Sequence, residues 1–178
     1  WGRVAENNGN HLLLGRNAPF PSDTQLVSPA LQVSPAEPFV LTFSHAFALE
    51  GALPVLFDGG VIELSSDGGA SWADVTTFGV DTGYTGVLAL GGANPLEGRR
   101  AFSGTSPGFP ARRSLTLNFG TQFAGLSVLV RFRLGADLNT ILSGWFIDDV
   151  DVSGITNTPF NALVAEPSTC TARKAIDD

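Results

Sequence analysis

An all-β fold, an antiparallel sandwich of two sheets, is what this 178-residue sequence predicts, on three observations. Short runs that alternate apolar and polar residues recur along the chain, rich in β-branched and aromatic side chains. Glycine, proline and asparagine punctuate those runs, and no stretch keeps a helical period over three turns. Charged residues make up only 15%, and Lys is nearly absent, whereas helix-rich chains lean on Ala, Leu, Glu and Lys. Strands with no helices between them leave the antiparallel sandwich as the economical way to bury both apolar faces.

The elements follow in order. Strands are expected at about 11–14, 25–33, 38–49, 57–65, 71–77, 113–119, 126–134 and 143–153. "PFVLTFSHAFAL" (38–49) sets Phe39, Leu41, Phe43, His45, Phe47 and Leu49 on one face by its period of two. "LSVLVRFRL" (126–134) is apolar almost throughout until Arg131 and Arg133, which predicts a central strand buried on most of both faces. Residues 78–112 are dense in glycine and too long for a hairpin turn, so they predict a long excursion across one end or face of the sandwich. Residues 1–155 thus form one domain, and 156–178, where the alternation is lost, a C-terminal surface tail.

"FDGGVIELSSDGGASW" (57–72) carries two Asp-Gly-Gly triplets around one alternating run. The second, at 67–69, reads as a hairpin turn, because Gly reaches positive φ freely and Asp can hydrogen-bond its own turn. The first, at 58–60, enters a strand after "PVLF", where a glycine pair signals a bulge or a close backbone approach. Together with "GWFIDDVDV" (144–152), "NPLEGRRAFSGTSPGF" (94–109) and "LTFSHAFALE" (41–50), this segment resembles the MAM-like jelly-roll accessory domains of secreted bacterial proteins, the immune inhibitor A metalloprotease and cleaved-adhesin type. The resemblance covers about residues 24–153. It implies a jelly-roll sandwich, a secreted parent protein and an accessory role. No His-Glu-x-x-His peptidase motif is present, so it implies no catalytic domain.

Charge narrows the partners. A net charge of −7 repels phosphate backbones and disfavours nucleic acid. No apolar run approaches the ~20 residues of a membrane span. The lone Cys170 excludes an intrachain disulfide, and the abrupt start at Trp1 reads as a mature or excised piece.

Acidic side chains raise the possibility of a hard cation, for which carboxylates must converge from loops and strand ends. Glu50, Asp58, Asp148 and Asp149 are the candidate ligands of a structural Ca2+, since three Asp residues in "IDDVD" sit oddly on an apolar strand. Alternatively, Asp148 or Asp149 accepts backbone N–H bonds or pairs with Arg131 or Arg133. His45 reads as a core histidine with a satisfied hydrogen bond. A ligand site, if the excursion holds one, would use Tyr84, Arg99, Arg100 and Phe102; otherwise these residues belong to a loop that covers its own sandwich. The expected function is a non-catalytic module binding protein or carbohydrate at a cell surface or stabilising a linked enzyme. The alternative is a secreted hydrolase using acids near Glu50 and Asp58.

Overall fold

A computed structural model describes residues 1–138 and 140–159. Its strands are β1 (Gly2–Ala5), β2 (His11–Gly15), β3 (Ser22–Val27), β4 (Leu31–Gln32), β5 (Val40–Ala48), β6 (Gly51–Ala52), β7 (Val55–Leu56), β8 (Gly59–Ser65), β9 (Ala73–Asp74), β10 (Gly86–Val87), β11 (Arg100–Ala101), β12 (Arg113–Asn118), β13 (Ser127–Ala136) and β14 (Gly144–Ser153). A single 3-10 turn, Val75–Phe78, is the helical element among the described residues. One sheet runs β1-β2-β14-β5-β12, and the other β3-β13-β8-β9 with β4 extending beside β13. Every pairing is antiparallel, as expected for a chain with no crossover helices.

The period-two pattern of β5 does what its sequence predicts. Leu41, Phe43 and Phe47 are buried on one face, and β5 lies between β14 and β12. On the other sheet, β13 contributes Val128, Val130, Phe132 and Leu134 to the same core. Phe132 joins the two layers, with its ring edge-on to Phe43 at 5.2 Å and to Trp145 at 5.7 Å.

β13 is an interior strand buried on both faces, but its second face is not apolar. Glu63 of β8, 3% exposed, receives Arg131 at 2.6 Å and Arg99 at 2.7 Å. Arg99 also reaches Asp74 at 2.8 Å, Arg131 donates to Gln25, and Arg133 pairs with Asp23. The Arg131 guanidinium lies 4.1 Å over the half-buried Trp72 ring. Charge is buried here because each carboxylate and guanidinium has an opposite partner.

The Asp67-Gly68-Gly69 triplet forms the β8–β9 turn. Both glycines have positive φ, Asp67 accepts the Ser71 N–H, and Ser65 Oγ accepts the Gly69 N–H. Residues 78–112 pack back on the sandwich. β10 and β11 pair, Phe102 exchanges two 2.9 Å backbone hydrogen bonds with Gly60, and 104–106 bonds β5 beyond the end of β12. At the other end, Thr156 and Asn157 bond back to the β4 region. The tail beyond, with Cys170, lies outside the described residues.

Candidate metal centre

The first Asp-Gly-Gly triplet sets up the site. Gly59 and Gly60 have no room for a side chain: a Cβ on Gly59 would strike Leu88 and Ala101, and one on Gly60 would strike the Trp145 indole. The backbone is therefore pressed into the interior, and Asp58 just before it is 0% exposed. Its carboxylate accepts Asp137 N–H at 2.7 Å on Oδ1 and Asn17 Nδ2 at 2.8 Å on Oδ2.

Two further acids arrive from neighbouring strand ends. Pairing of β8 with β13 sets Gly59 opposite Gly135, which carries Asp137 to Asp58. Glu50 follows β5, and the small β6–β7 hairpin returns the chain so that Phe57 and Asp58 N–H both donate to the Glu50 carbonyl at 3.1 Å. Asn94 ties the excursion to this corner, donating to the Phe57 and Gly135 carbonyls at 2.7 and 3.0 Å.

Oxygen atoms of Glu50, Asp58 and Asp137 lie within 4.8 Å of one another. Glu50 Oε2, Asp137 Oδ1 and Asn17 Oδ1 are buried with no hydrogen-bond partner. Burial raises the pKa of Asp58, and the nearby Glu50 charge adds to it. Burial, then the charges of Asp58 and Glu50, push Asp137 up to about 6. Three converging carboxylates, two of them with an orphaned oxygen, and an orphaned amide oxygen beside them form a hard-oxygen donor set suited to a Ca2+-like ion.

The chain matches no known family model and no curated protein.

The structure brings Glu50 and Asp58 together but leaves Asp148 and Asp149 out. β14 pairs Asp148 with Ser44 of β5, six residues before Glu50. Asp148 accepts Asn10 Nδ2 at 2.7 Å and pairs with Arg112 at 3.2 Å. Asp149 accepts Ser44 Oγ at 2.9 Å and has a φ of 50° at an irregularity in the β14–β5 pairing. Asp148 and Asp149 of "IDDVD" are thus explained by hydrogen bonds, an arginine and a local break in the ladder; the arginine is Arg112, and Arg131 and Arg133 pair elsewhere.

The proposed ligand residues of the excursion are also placed elsewhere. Tyr84 and Phe102 are buried at 6% and 2% exposure, so neither ring is open to a sugar. Tyr84 accepts the Ile62 N–H at 2.8 Å, and Phe102 packs on Tyr84, Phe47 and His45. Arg99 is held by Glu63 and Asp74, and only Arg100 is exposed. Tyr84, Arg99 and Phe102 fasten the excursion to the sandwich, and Arg100 bonds only within it, to the Tyr84 carbonyl.

Sequence reasoning missed Asp137, Asn17 and Asn94. Asp137 had a signal, an acid directly after an apolar strand, "RLGAD". The two asparagines sit in loops and had none. Among the described residues, no helix is long and apolar enough to cross a membrane.

Proposed function

We propose that the chain is a non-catalytic accessory or binding module of a larger secreted bacterial protein, a MAM-like jelly roll whose loop end is held by a structural Ca2+. The strand order supports the jelly-roll reading: β2-β14-β5-β12 facing β3-β13-β8-β9 is the order produced when two Greek keys wrap one sandwich. The partner would be protein or carbohydrate at a cell surface.

The observation that carries the cation is the set of orphaned buried oxygens on Glu50, Asp137 and Asn17 around the buried Asp58 carboxylate. Without a cation, three carboxylates from three segments repel one another in a poorly solvated corner; a divalent ion turns that repulsion into a cross-link. The same acids could serve a hydrolase only with access to substrate. Asp58 has none, and clefts of about 640, 420 and 340 Å3 on the surface are lined by other residues.

Thermal unfolding of metal-stripped protein tests the reading. An ion that binds only the folded state adds about 2.7 kcal/mol at a hundredfold excess over Kd, roughly 5–10 °C in Tm for a chain of this size. Ca2+ should give that rise and Mg2+ less, because Mg2+ demands a tighter octahedral shell. Asp137→Asn should abolish the response, and Asp148→Asn should keep it. Superimposable melting curves with chelator and with Ca2+ would end the proposal.

A further inference from the structure

A second site is marked by its hydrogen-bond donors. A cleft of about 420 Å3 opens between β12 and the excursion, at the edge of the first sheet. His45, Thr82, Thr85, Ser106 and Arg113 are among its polar lining, and Phe47 and Leu115 form part of its apolar wall.

Every one of those polar groups has a proton to give. Ser106 Oγ accepts the Phe47 N–H, Thr85 Oγ1 the Ser103 N–H, and Thr82 Oγ1 the Tyr84 N–H. Each hydroxyl oxygen is thus engaged, and none of the three donates its proton to another described residue. The half-buried His45 accepts the Trp145 indole N–H on Nδ1 at 3.2 Å, which places its own proton on Nε2. Arg113 is exposed and makes no ion pair among the described residues. No carboxylate lines the cleft. In a chain of net charge −7, this is a local surplus of donors and positive charge, complementary to an anionic acceptor.

The strand beside it has a free outer side. Phe119 N–H donates inward to the Phe39 carbonyl, so alternation along β12 turns the backbone N–H and C=O of Ser114, Thr116 and Asn118 outward. Among the described residues no strand pairs with that edge. Such an edge is completed by an extended chain, and a saccharide has no matching ladder of alternating donors and acceptors.

We propose that the cleft takes a carboxylate carried on an extended acidic peptide, which adds as a strand to the outer edge of β12. Arg113 and the Nε2–H of His45 meet the carboxylate, and the threonine and serine hydroxyls supply further donors. The site stands apart from the carboxylate cluster and does not depend on a cation there.

The test uses the whole chain and three probes: the capped peptide Thr-Val-Glu-Val-Thr-Val, the same peptide with Gln for Glu, and D-glucuronate. Calorimetric titration should show the Glu peptide binding about tenfold more tightly than the Gln peptide, the size of one charge-assisted hydrogen bond. Arg113→Gln, at an exposed position, should keep the melting temperature and remove that difference. On binding the Glu peptide, amide exchange at Ser114 and Thr116 should slow about tenfold or more as their N–H groups join a ladder. No binding, equal affinities for the two peptides, glucuronate binding as tightly as the Glu peptide, or unchanged exchange at Ser114 and Thr116 would each overturn the assignment.

Discussion

His45 is a histidine held neutral. Its ring packs edge-on to Phe43 at 5.3 Å and to Phe102 at 4.7 Å, and burial brings its pKa from 6.5 down to about 4. Between those two values the unfolded chain binds a proton that the folded chain refuses. The stability His45 contributes is therefore complete above about pH 6.5 and is lost as pH falls toward 4. The loss amounts to about 2–3 kcal/mol between pH 7 and pH 4.5. Asp137, with a raised pKa, acts in the opposite sense in metal-free protein: its contribution is present at low pH and is lost as pH rises through about 6. Urea unfolding of wild type and His45→Gln at both pH values separates the two, because Asp137 cancels in the difference. Gln retains an acceptor for the Trp145 indole. The wild type should lose about 2–3 kcal/mol more than the variant on acidification; parallel profiles would exclude a buried neutral imidazole.

At the scale of elements, the excursion closes a sheet edge that would otherwise stand open. β8 pairs with β13 along its length but with β9 only at Glu63 and Leu64. Beyond β9, the backbone of Phe102 bonds Gly60 and the phenol of Tyr84 takes the Ile62 N–H. Tyr84 thus acts as a one-atom strand, and burial raises its pKa, which keeps the phenol protonated. Tyr84→Phe preserves the ring contacts but strands a fully buried amide. The expected cost is about 1–3 kcal/mol, the desolvation penalty of an unpaired N–H. Amide exchange should show where it arises: Ile62 should exchange faster in the variant while the β13 amides keep their global-unfolding rates. Unchanged exchange at Ile62 would mean that this phenol does not protect the β8 edge.

Across the whole molecule, two different devices hold the sandwich. Between the sheets lies an aromatic core of Phe43, Phe132 and Trp145. Outside the second sheet lies a charged web in which Glu63 gathers arginines from β13 and from the excursion. Position in the web sets each member's weight. Glu63→Ala would leave Arg131 and Arg99 without their buried counterion, at an expected cost of about 3–5 kcal/mol. Asp23→Ala removes a partner at the exposed end of the web and should cost under about 1 kcal/mol. Chemical denaturation of the two variants measures that contrast; equal costs would mean that the web does not centre on Glu63.

The sequence by itself determined the sandwich, because side-chain alternation reports directly which face of a strand is buried. It determined the Asp67–Gly69 turn and the crowding at Gly59–Gly60, since glycine pairs answer local backbone demands. It also offered Glu50 and Asp58 as candidate ligands, but the short hairpin that brings them together is visible only in the structure. Only the tertiary structure brought in Asp137, 79 residues from Asp58, and Asn17, 41 residues away. It alone gave Asp148 to Arg112 and Asn10, and turned Tyr84 and Phe102 inward. The physical reason is that a period of two names the face of a strand but not its neighbour. Which strand ends meet is set by register between segments far apart in sequence, and a glycine-rich excursion carries no period from which burial could be read.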